Sequence, residues 1–202
     1  MKKGLNHPQN QGVDLMKRWN SVVIFTLTLL PFLPHAHASG EGASLKGRIV
    51  DKGAGVVIPA RLYLQDSTGT WHFAESADSN GSAVRYKVDR EGSVESHTTL
   101  SAHPFIASLP SGTCEITVER GKEYRTLKRT IDPASVDGEL TLELERWVDM
   151  AAMGWYSGDT HVHRTLKDLP NVVLAEDLNV VFPLIYWAWD GYEPPKKEDP
   201  DF

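Results

Sequence analysis

The stretch GWYSGDTHVHRT, residues 154–165, contains an aspartate and two histidines spaced two residues apart. Successive side chains of a β-strand point to opposite faces, so Asp159, His161 and His163 are predicted to share one face of a strand. Two imidazoles side by side supply half of a tetrahedral or octahedral site for a divalent ion. Asp159 either joins the ligand set or accepts the second ring N–H of His161 and so orients that ring.

A second His-x-His pair, His35 and His37, lies in a different context. A basic start and the apolar run SVVIFTLTLLPFLP precede it, and Ala36 and Ala38 flank its second histidine. This order is typical of a secretory signal peptide that is cut after Ala38. We therefore expect residues 1–38 to be removed, and the mature protein to be periplasmic or secreted with no membrane contact.

The charge of the mature chain restricts its partners. Removal of residues 1–38 takes away four basic residues and one acidic residue, so the net charge changes from −6 to −9. This acidic balance disfavours nucleic acid and anionic membrane surfaces as partners. Cys114 is the one cysteine of the chain, so no intramolecular disulfide is expected.

Two elements after the histidines are needed to hold them in a sheet. The segment LPNVVLAEDLN, residues 169–179, is predicted to form a helix with Pro170 in its first turn. The segment VVFPLIYW, residues 180–187, is predicted to form a buried strand. Strand, helix and strand in this order form a βαβ unit, which favours a parallel sheet. His163 then lies at the carboxyl end of the first strand, the end that faces the active site in β/α barrels.

Residues 44–147 have an apolar period of two and frequent turn signals. In ELTLELE, residues 139–145, the leucines face one way and the polar residues the other, which predicts an antiparallel sheet with one dry face. The segments predicted to be strands are LKGRIVD, ARLYLQD, WHFAES, AVRYKV, FIASLP, CEITVERG, YRTLKRTI and ELTLELERW. About eight short strands without a helical stretch predict a β-sandwich over residues 39–150.

Several residues of this region receive a structural interpretation. Gly121 is predicted to take a positive φ in a tight hairpin. Cys114 shares its predicted inward face with Ile116 and is interpreted as a small core residue. His97 and His103 are interpreted as surface or loop histidines, because nothing near them supplies a further ligand in a recognisable pattern.

The segments GRIVDKGAGVVIPARLYLQD and LPSGTCEITVERGKEY resemble the carboxypeptidase regulatory-like or transthyretin-like sandwich. That family has a Gly-x-(Ile/Val) first strand, a G-x-x-I-P-A entry into the second strand, and L-P-x-G-T-Y before a later strand. Cys114 stands where the family usually has tyrosine. The resemblance implies an immunoglobulin-like or transthyretin-like fold and no particular activity.

The stretch GWYSGDTHVHRT resembles the start of the PHP superfamily of metal-dependent hydrolases and phosphoesterases. It looks most like the CehA/McbA-like branch, in which a secreted β-sandwich precedes the catalytic barrel. The resemblance implies that His161 and His163 are the first two ligands of a centre with one to three divalent ions, often zinc, manganese or iron. Such a centre activates water for attack on a phosphoryl or carbonyl centre of a small-molecule substrate.

The sequence departs from that superfamily in two respects. Many members carry Thr-Asp-His after the second strand, whereas Tyr186 and Trp187 stand in the places of the Asp and the His here. A β/α barrel needs about 200 residues or more, and 48 residues follow Gly154. Residues 151–202 are therefore expected to be the truncated start of a PHP-type barrel. The chain is expected to be the N-terminal portion of an exported hydrolase, inactive by itself and with weak or no metal binding.

A second class of function fits the same residues. The sandwich could be a secreted binding or structural module, with residues 151–202 as a vestigial catalytic tail. Whether the chain itself is an enzyme therefore stays open. The expected fold class is the same in both cases: mostly β, with an Ig/transthyretin-like β-sandwich followed by an incomplete βαβ start of a PHP-type β/α barrel.

Overall fold

The computed structural model describes residues 42–184, apart from the side chains of residues 93 and 94. Strands make up most of the regular structure in this range. In chain order the strands are β1 Ala43–Asp51, β2 Ala60–Asp66, β3 Trp71–His72, β4 Glu75–Ser76, β5 Ala83–Arg90, β6 Ser93–Leu100, β7 Phe105–Leu109, β8 Cys114–Glu119, β9 Leu127–Ile131, β10 Glu139–Leu144, β11 Gly158–Val162 and β12 Val180–Pro183. Helix α1 covers Leu169–Ala175. The mostly β fold class is confirmed.

Some predictions concern residues outside this range. The predicted signal peptide, residues 1–38, lies outside the described residues, and so do Tyr186 and Trp187. Within residues 42–184, no helix has both the length and the apolar character needed to cross a membrane.

Two sheets enclose the main hydrophobic core. One sheet has the strand order β10-β1-β7-β4, and the other has the order β5-β6-β2-β8-β9 with β3 paired to β2. Leu45 and Phe105 come from the first sheet, Leu62 and Ile116 from the second, and all four are at most 1% exposed. Two sheets that share one core are the arrangement expected of a β-sandwich.

The strand alternation read from the sequence is confirmed, but one pairing direction is not. Leu140, Leu142 and Leu144 of β10 are buried, and Cys114 of β8 is buried with Ile116. The expectation of an antiparallel partner for β10 is wrong, because β10 pairs with β1 in parallel. Alternation reports that one face is dry, whereas the direction of pairing depends on how the chain returns to the sheet.

The segment WHFAES was predicted as one strand and forms two. β3 pairs with β2 of one sheet, and β4 pairs with β7 of the other sheet. Between them, buried Ala74 donates its backbone N–H to the Thr98 Oγ1, at 3.0 Å. The chain therefore changes sheets within this segment, and the local pattern contains no signal for that crossing.

Strand β6 was not predicted, and the interpretation of His97 is wrong. His97 lies in β6, which pairs with β5 and β2, and it is 3% exposed. Its ring lies 5.0 Å from the Tyr63 ring and 5.2 Å from the Tyr86 ring, centroid to centroid. His103 does lie in the loop after β6, where the Ser101 Oγ is 2.9 Å from its Nδ1.

The predicted strand–helix–strand unit is confirmed between β11, α1 and β12, but the prediction of a buried second strand is wrong for residues 180–183, since Val180 is 49% and Phe182 57% exposed. β11 and β12 pair in parallel, with Gly158 opposite Val180. Pro170 lies in the first turn of α1, but the helix ends at Ala175 rather than at residue 179. α1 packs against β2, β5 and β6, and its Asn171 Nδ2 donates to the Thr99 carbonyl at 2.9 Å.

Candidate metal centre

A β-bulge shapes the strand that carries the candidate ligands. Asp159 pairs with Val181 and Val162 pairs with Pro183, so two residues of β11 lie opposite one residue of β12. Pro183 has no N–H to donate, and the Leu184 N–H donates to the Val162 carbonyl instead, at 2.8 Å. Bulges often occur next to functional sites, where they redirect a side chain. This bulge interrupts the alternation from which Asp159 was predicted to share a face with the histidines.

His161, one of the two bulged residues, meets His163 at the end of the strand. Their Nε2 atoms lie 2.9 Å apart, and the ring planes make an angle of 76°. Both side chains are exposed, and His163 directly follows the last residue of β11. One Nε2 donates to the other, so the two rings share one hydrogen between their facing nitrogens. The sequence prediction that the two imidazoles lie side by side at the carboxyl end of this strand is confirmed.

The two histidines fit a divalent ion as part of a ligand set. Zn–N bonds are about 2.0–2.1 Å long, so two nitrogens 2.9 Å apart are both within reach of one ion. Imidazole nitrogen is a ligand suited to zinc and iron. Binding would replace the shared hydrogen, because both Nε2 lone pairs would then face the ion.

The described residues do not supply a complete site. Among residues 42–184, no group of three or more His, Cys, Asp and Glu side chains is arranged to hold an ion. Asp159 Oδ1 accepts the backbone N–H of His161 at 2.9 Å. Asp159 therefore fixes the backbone of the bulge, which includes His161. Its predicted role as a ligand, or as the acceptor of the His161 ring N–H, stays a prediction.

A small cavity lies beside the histidine pair. Its volume is about 220 Å³, and Asp159, both histidines, Arg164 and Glu176 line it together with apolar residues of α1 and β12. The Glu176 Oε1 is 3.2 Å from Arg61 Nε. Glu176 is therefore held by a cation of the sandwich while it borders the cavity, and any role as a ligand would compete with that ion pair.

The residue after the pair anchors this segment to the sandwich. The Arg164 guanidinium carbon lies 4.4 Å from the centroid of the Tyr86 ring, within the range of a cation–π contact. Tyr86 in turn packs against His97. Burial, and to a smaller extent the charges of Arg61 and Arg164, together lower the pKa of His97 to about 4. Tyr86 and His97 were not identified from the sequence, because each contact joins residues far apart in the chain.

Comparison with known protein families found no family model that matches this chain, and no curated protein sequence matches it.

Proposed function

We propose that this chain carries part of an exported PHP-type metal-dependent hydrolase, in which His161 and His163 are two of the ligands of a divalent ion. The observation that carries the proposal is the convergence of the two Nε2 atoms to 2.9 Å at the carboxyl end of a parallel strand. Zinc, manganese or iron would be the ion, and the substrate would be a small ester or phosphoester.

Each residue of the centre has a distinct part in this proposal. A divalent ion supplies Lewis acidity, which generates a nucleophile from water at neutral pH. His161 and His163 hold the ion, and Asp159 keeps the backbone of His161 in place through its 2.9 Å hydrogen bond. Arg164, beside the cavity, offers a positive charge to the oxygen on which negative charge develops in the transition state.

The fold supports a finer assignment of the two regions. We interpret the two sheets as an Ig/transthyretin-like sandwich of the carboxypeptidase regulatory-like kind, and β11, α1 and β12 as the start of a PHP-type barrel. The parallel pairing of β11 with β12 and the exposed histidines at a strand end favour this interpretation. A secreted binding or structural module is the alternative, in which the histidine pair has no ion.

With only two imidazole ligands, we expect a divalent ion to bind weakly. Structural zinc sites have four protein ligands and release about 10–16 kcal/mol on binding. The histidine pair offers half of that ligand set, and the described residues add no third ligand in a suitable position. Further ligands would have to come from outside residues 42–184, or from Asp159 or Glu176 after their side chains leave their present partners.

Zinc titration followed by NMR of the histidine rings tests the proposal, since it detects weak binding. We expect zinc to shift the ring signals of His161 and His163 together, and replacement of either residue by alanine to abolish the shift of the other. His103→Ala is the matched control, since it removes an imidazole far along the chain and should leave the shifts intact.

Calorimetry with zinc and manganese, beside an ester and a phosphodiester assay, measures the strength of binding and any hydrolysis by the 202-residue chain. Unshifted ring signals at millimolar zinc would reject the metal centre and favour the binding or structural module. Tight binding would instead mean that Glu176, Asp190 or a second subunit completes the site.

Export is tested separately by mass spectrometry of the mature protein. We expect the chain recovered from the periplasm or the medium to begin at or near Ser39, because the Ala36-x-Ala38 pattern follows the apolar run. Recovery of a chain that still carries Met1 or Met16 would contradict cleavage.

A further inference from the structure

Asp177, two residues after the end of α1, has a backbone conformation that favours glycine. Its φ is 55°, and it is the one non-glycine residue with a positive φ among residues 42–184. Glycine is the usual residue at such a helix end, because it has no Cβ to clash. Aspartate tolerates this conformation better than most other non-glycine residues, and its carboxylate makes contacts that glycine would lack.

The Asp177 carboxylate binds two arginines at once. Its Oδ1 accepts from Arg120 Nη2 at 2.6 Å, and its Oδ2 accepts from Arg146 Nη2 at 2.8 Å. The Asp177 side chain is 16% exposed, so water screens these charges less than at an open surface. Arg120 follows β8 and Arg146 follows β10, so one carboxylate joins two separate chain segments of the sandwich.

Both arginines are held by further contacts. Arg120 Nη1 donates to the Pro59 carbonyl of the sandwich and to the Leu174 carbonyl of α1, each at 2.6 Å. Arg146 forms an ion pair with Glu123, and its guanidinium lies 4.4 Å from the centroid of the Tyr124 ring. Because these contacts restrict the guanidinium groups, Asp177 meets two cations whose positions are already fixed.

The hairpin next to Arg120 lies directly against the same turn. A Cβ at Gly121 would be 2.6 Å from the Glu176 carbonyl oxygen, so the backbone approach allows no side chain there. Gly121 has the predicted positive φ, at 49°. The close approach and the two ion pairs together hold the end of α1 on the sandwich.

A short path of hydrogen bonds leads from Asp177 to the strand that carries the histidines. The Ser157 Oγ donates to the Asp177 carbonyl at 3.1 Å, and the Ser157 N–H donates to Asn179 Oδ1 at 3.0 Å. Ser157 immediately precedes β11. The start of β11 is therefore bonded to the turn that the two arginines hold.

We propose that Asp177 is a positioning residue that fixes β11, and with it His161 and His163, on the sandwich through Arg120 and Arg146. The sandwich then serves as the platform of the candidate site rather than as an independent appendage. The consequence for metal affinity rests on the proposed function, whereas the positioning itself does not.

Amide hydrogen exchange and histidine ring NMR on the whole, metal-free protein test the positioning. Asn also tolerates a positive φ, so Asp177→Asn removes the charge with little change in backbone preference. We expect the α1 amides to exchange about tenfold faster or more, because two charge-assisted hydrogen bonds are weakened. The ring signals of His161 and His163 should shift, while the β2 and β8 amides keep their protection.

Two further variants isolate the carboxylate. Asp177→Gly gives the turn its preferred residue. If the α1 amides exchange as fast in Asp177→Gly as in Asp177→Asn, the effect comes from loss of the carboxylate and not from backbone strain. Asp137→Asn is the charge-matched control, because Asp137 is exposed and has no ion pair within the described residues. Unchanged α1 exchange and unchanged ring signals in Asp177→Asn would overturn the proposal.

Zinc titration of the same proteins separates this proposal from the proposed function. If wild type binds zinc, we expect Asp177→Asn to bind it less tightly with an unchanged sandwich melting temperature; equal affinity would overturn the positioning of the pair. If wild type does not bind zinc but Asp177→Asn shifts the ring signals, the metal centre is rejected and the positioning role stands.

Discussion

The sandwich and the strand–helix–strand unit differ in how they are stabilised. The hydrophobic cluster of the sandwich takes all its buried members from residues 45–144, most of them at most 2% exposed. In residues 158–183, β11 has four exposed residues of five, and α1 buries three residues, of which Asn171 is polar. The sandwich has its own core, whereas the second unit has none within the described residues.

Polar contacts take the place of a core in the second unit. Arg61, Arg120 and Arg146 of the sandwich bind Glu176 and Asp177 at the end of α1. Ion pairs at partly exposed positions contribute little each, about 0–1 kcal/mol, but they depend strictly on geometry. They therefore fix orientation more than they add stability.

This division fits the proposed function. A side chain that binds an ion has to be accessible, and His161 and His163 are both exposed. Regions with few buried apolar contacts open more readily than core strands. The sandwich then supplies rigidity that the exposed strand pair lacks.

The largest expected effect is the loss of stability on removal of a buried phenylalanine, compared with removal of an exposed one. Phe105 is fully buried in the sandwich and Phe182 of β12 is 57% exposed. Phe105→Ala should lower the free energy of unfolding by about 3–5 kcal/mol, because it leaves a cavity in the core. Phe182→Ala should change it by about 0.5 kcal/mol or less. Urea unfolding of both variants measures the difference, and equal effects would contradict the comparison.

A pH effect at His97 is the next largest. The folded pKa of about 4 lies below the ordinary value of 6.5, so the unfolded chain binds a proton first as the pH falls. Stability from this residue is therefore complete above pH 6.5 and is lost as the pH falls toward 4, by at most roughly 3 kcal/mol. Urea unfolding at pH 7 and pH 4.5 measures the loss.

His97→Gln isolates that effect from the carboxylates, which also titrate at low pH. We expect the variant to lose less stability than wild type between these two pH values, since glutamine binds no proton. His103→Gln should behave as wild type does. A His97→Gln variant with the full wild-type loss would show that burial of His97 does not govern the pH dependence.

A chain that ends at Trp147 should show the smallest effect. The core cluster lies entirely before that residue, and Trp147 is itself bonded to Glu123 and Lys122. We expect cooperative melting with a loss of about 1–2 kcal/mol, from the missing contacts of α1 with β6. The loss of stability at acid pH should also shrink, because His97 becomes more exposed. Circular dichroism decides both points, and a disordered chain would refute an independent sandwich.

The sequence was most informative where one short pattern has one physical cause. Alternating apolar residues identified β2, β8 and β10, because a strand with one dry face needs a period of two. It failed at β6, where the buried face beside Tyr63 and Tyr86 carries His97 and Thr99 instead of aliphatic residues. It also failed to give the direction of pairing of β10, which local pattern does not encode.

By itself, the sequence determined the order of strand, helix and strand and the neighbouring positions of His161 and His163, since both follow from spacing along a few residues. Tertiary structure alone decided that a bulge follows Asp159 and contains His161, and that Asp177 meets Arg120 and Arg146. These contacts join residues up to 57 positions apart. Which residues meet depends on the path of the chain through the two sheets. A short sequence pattern carries no information about that path.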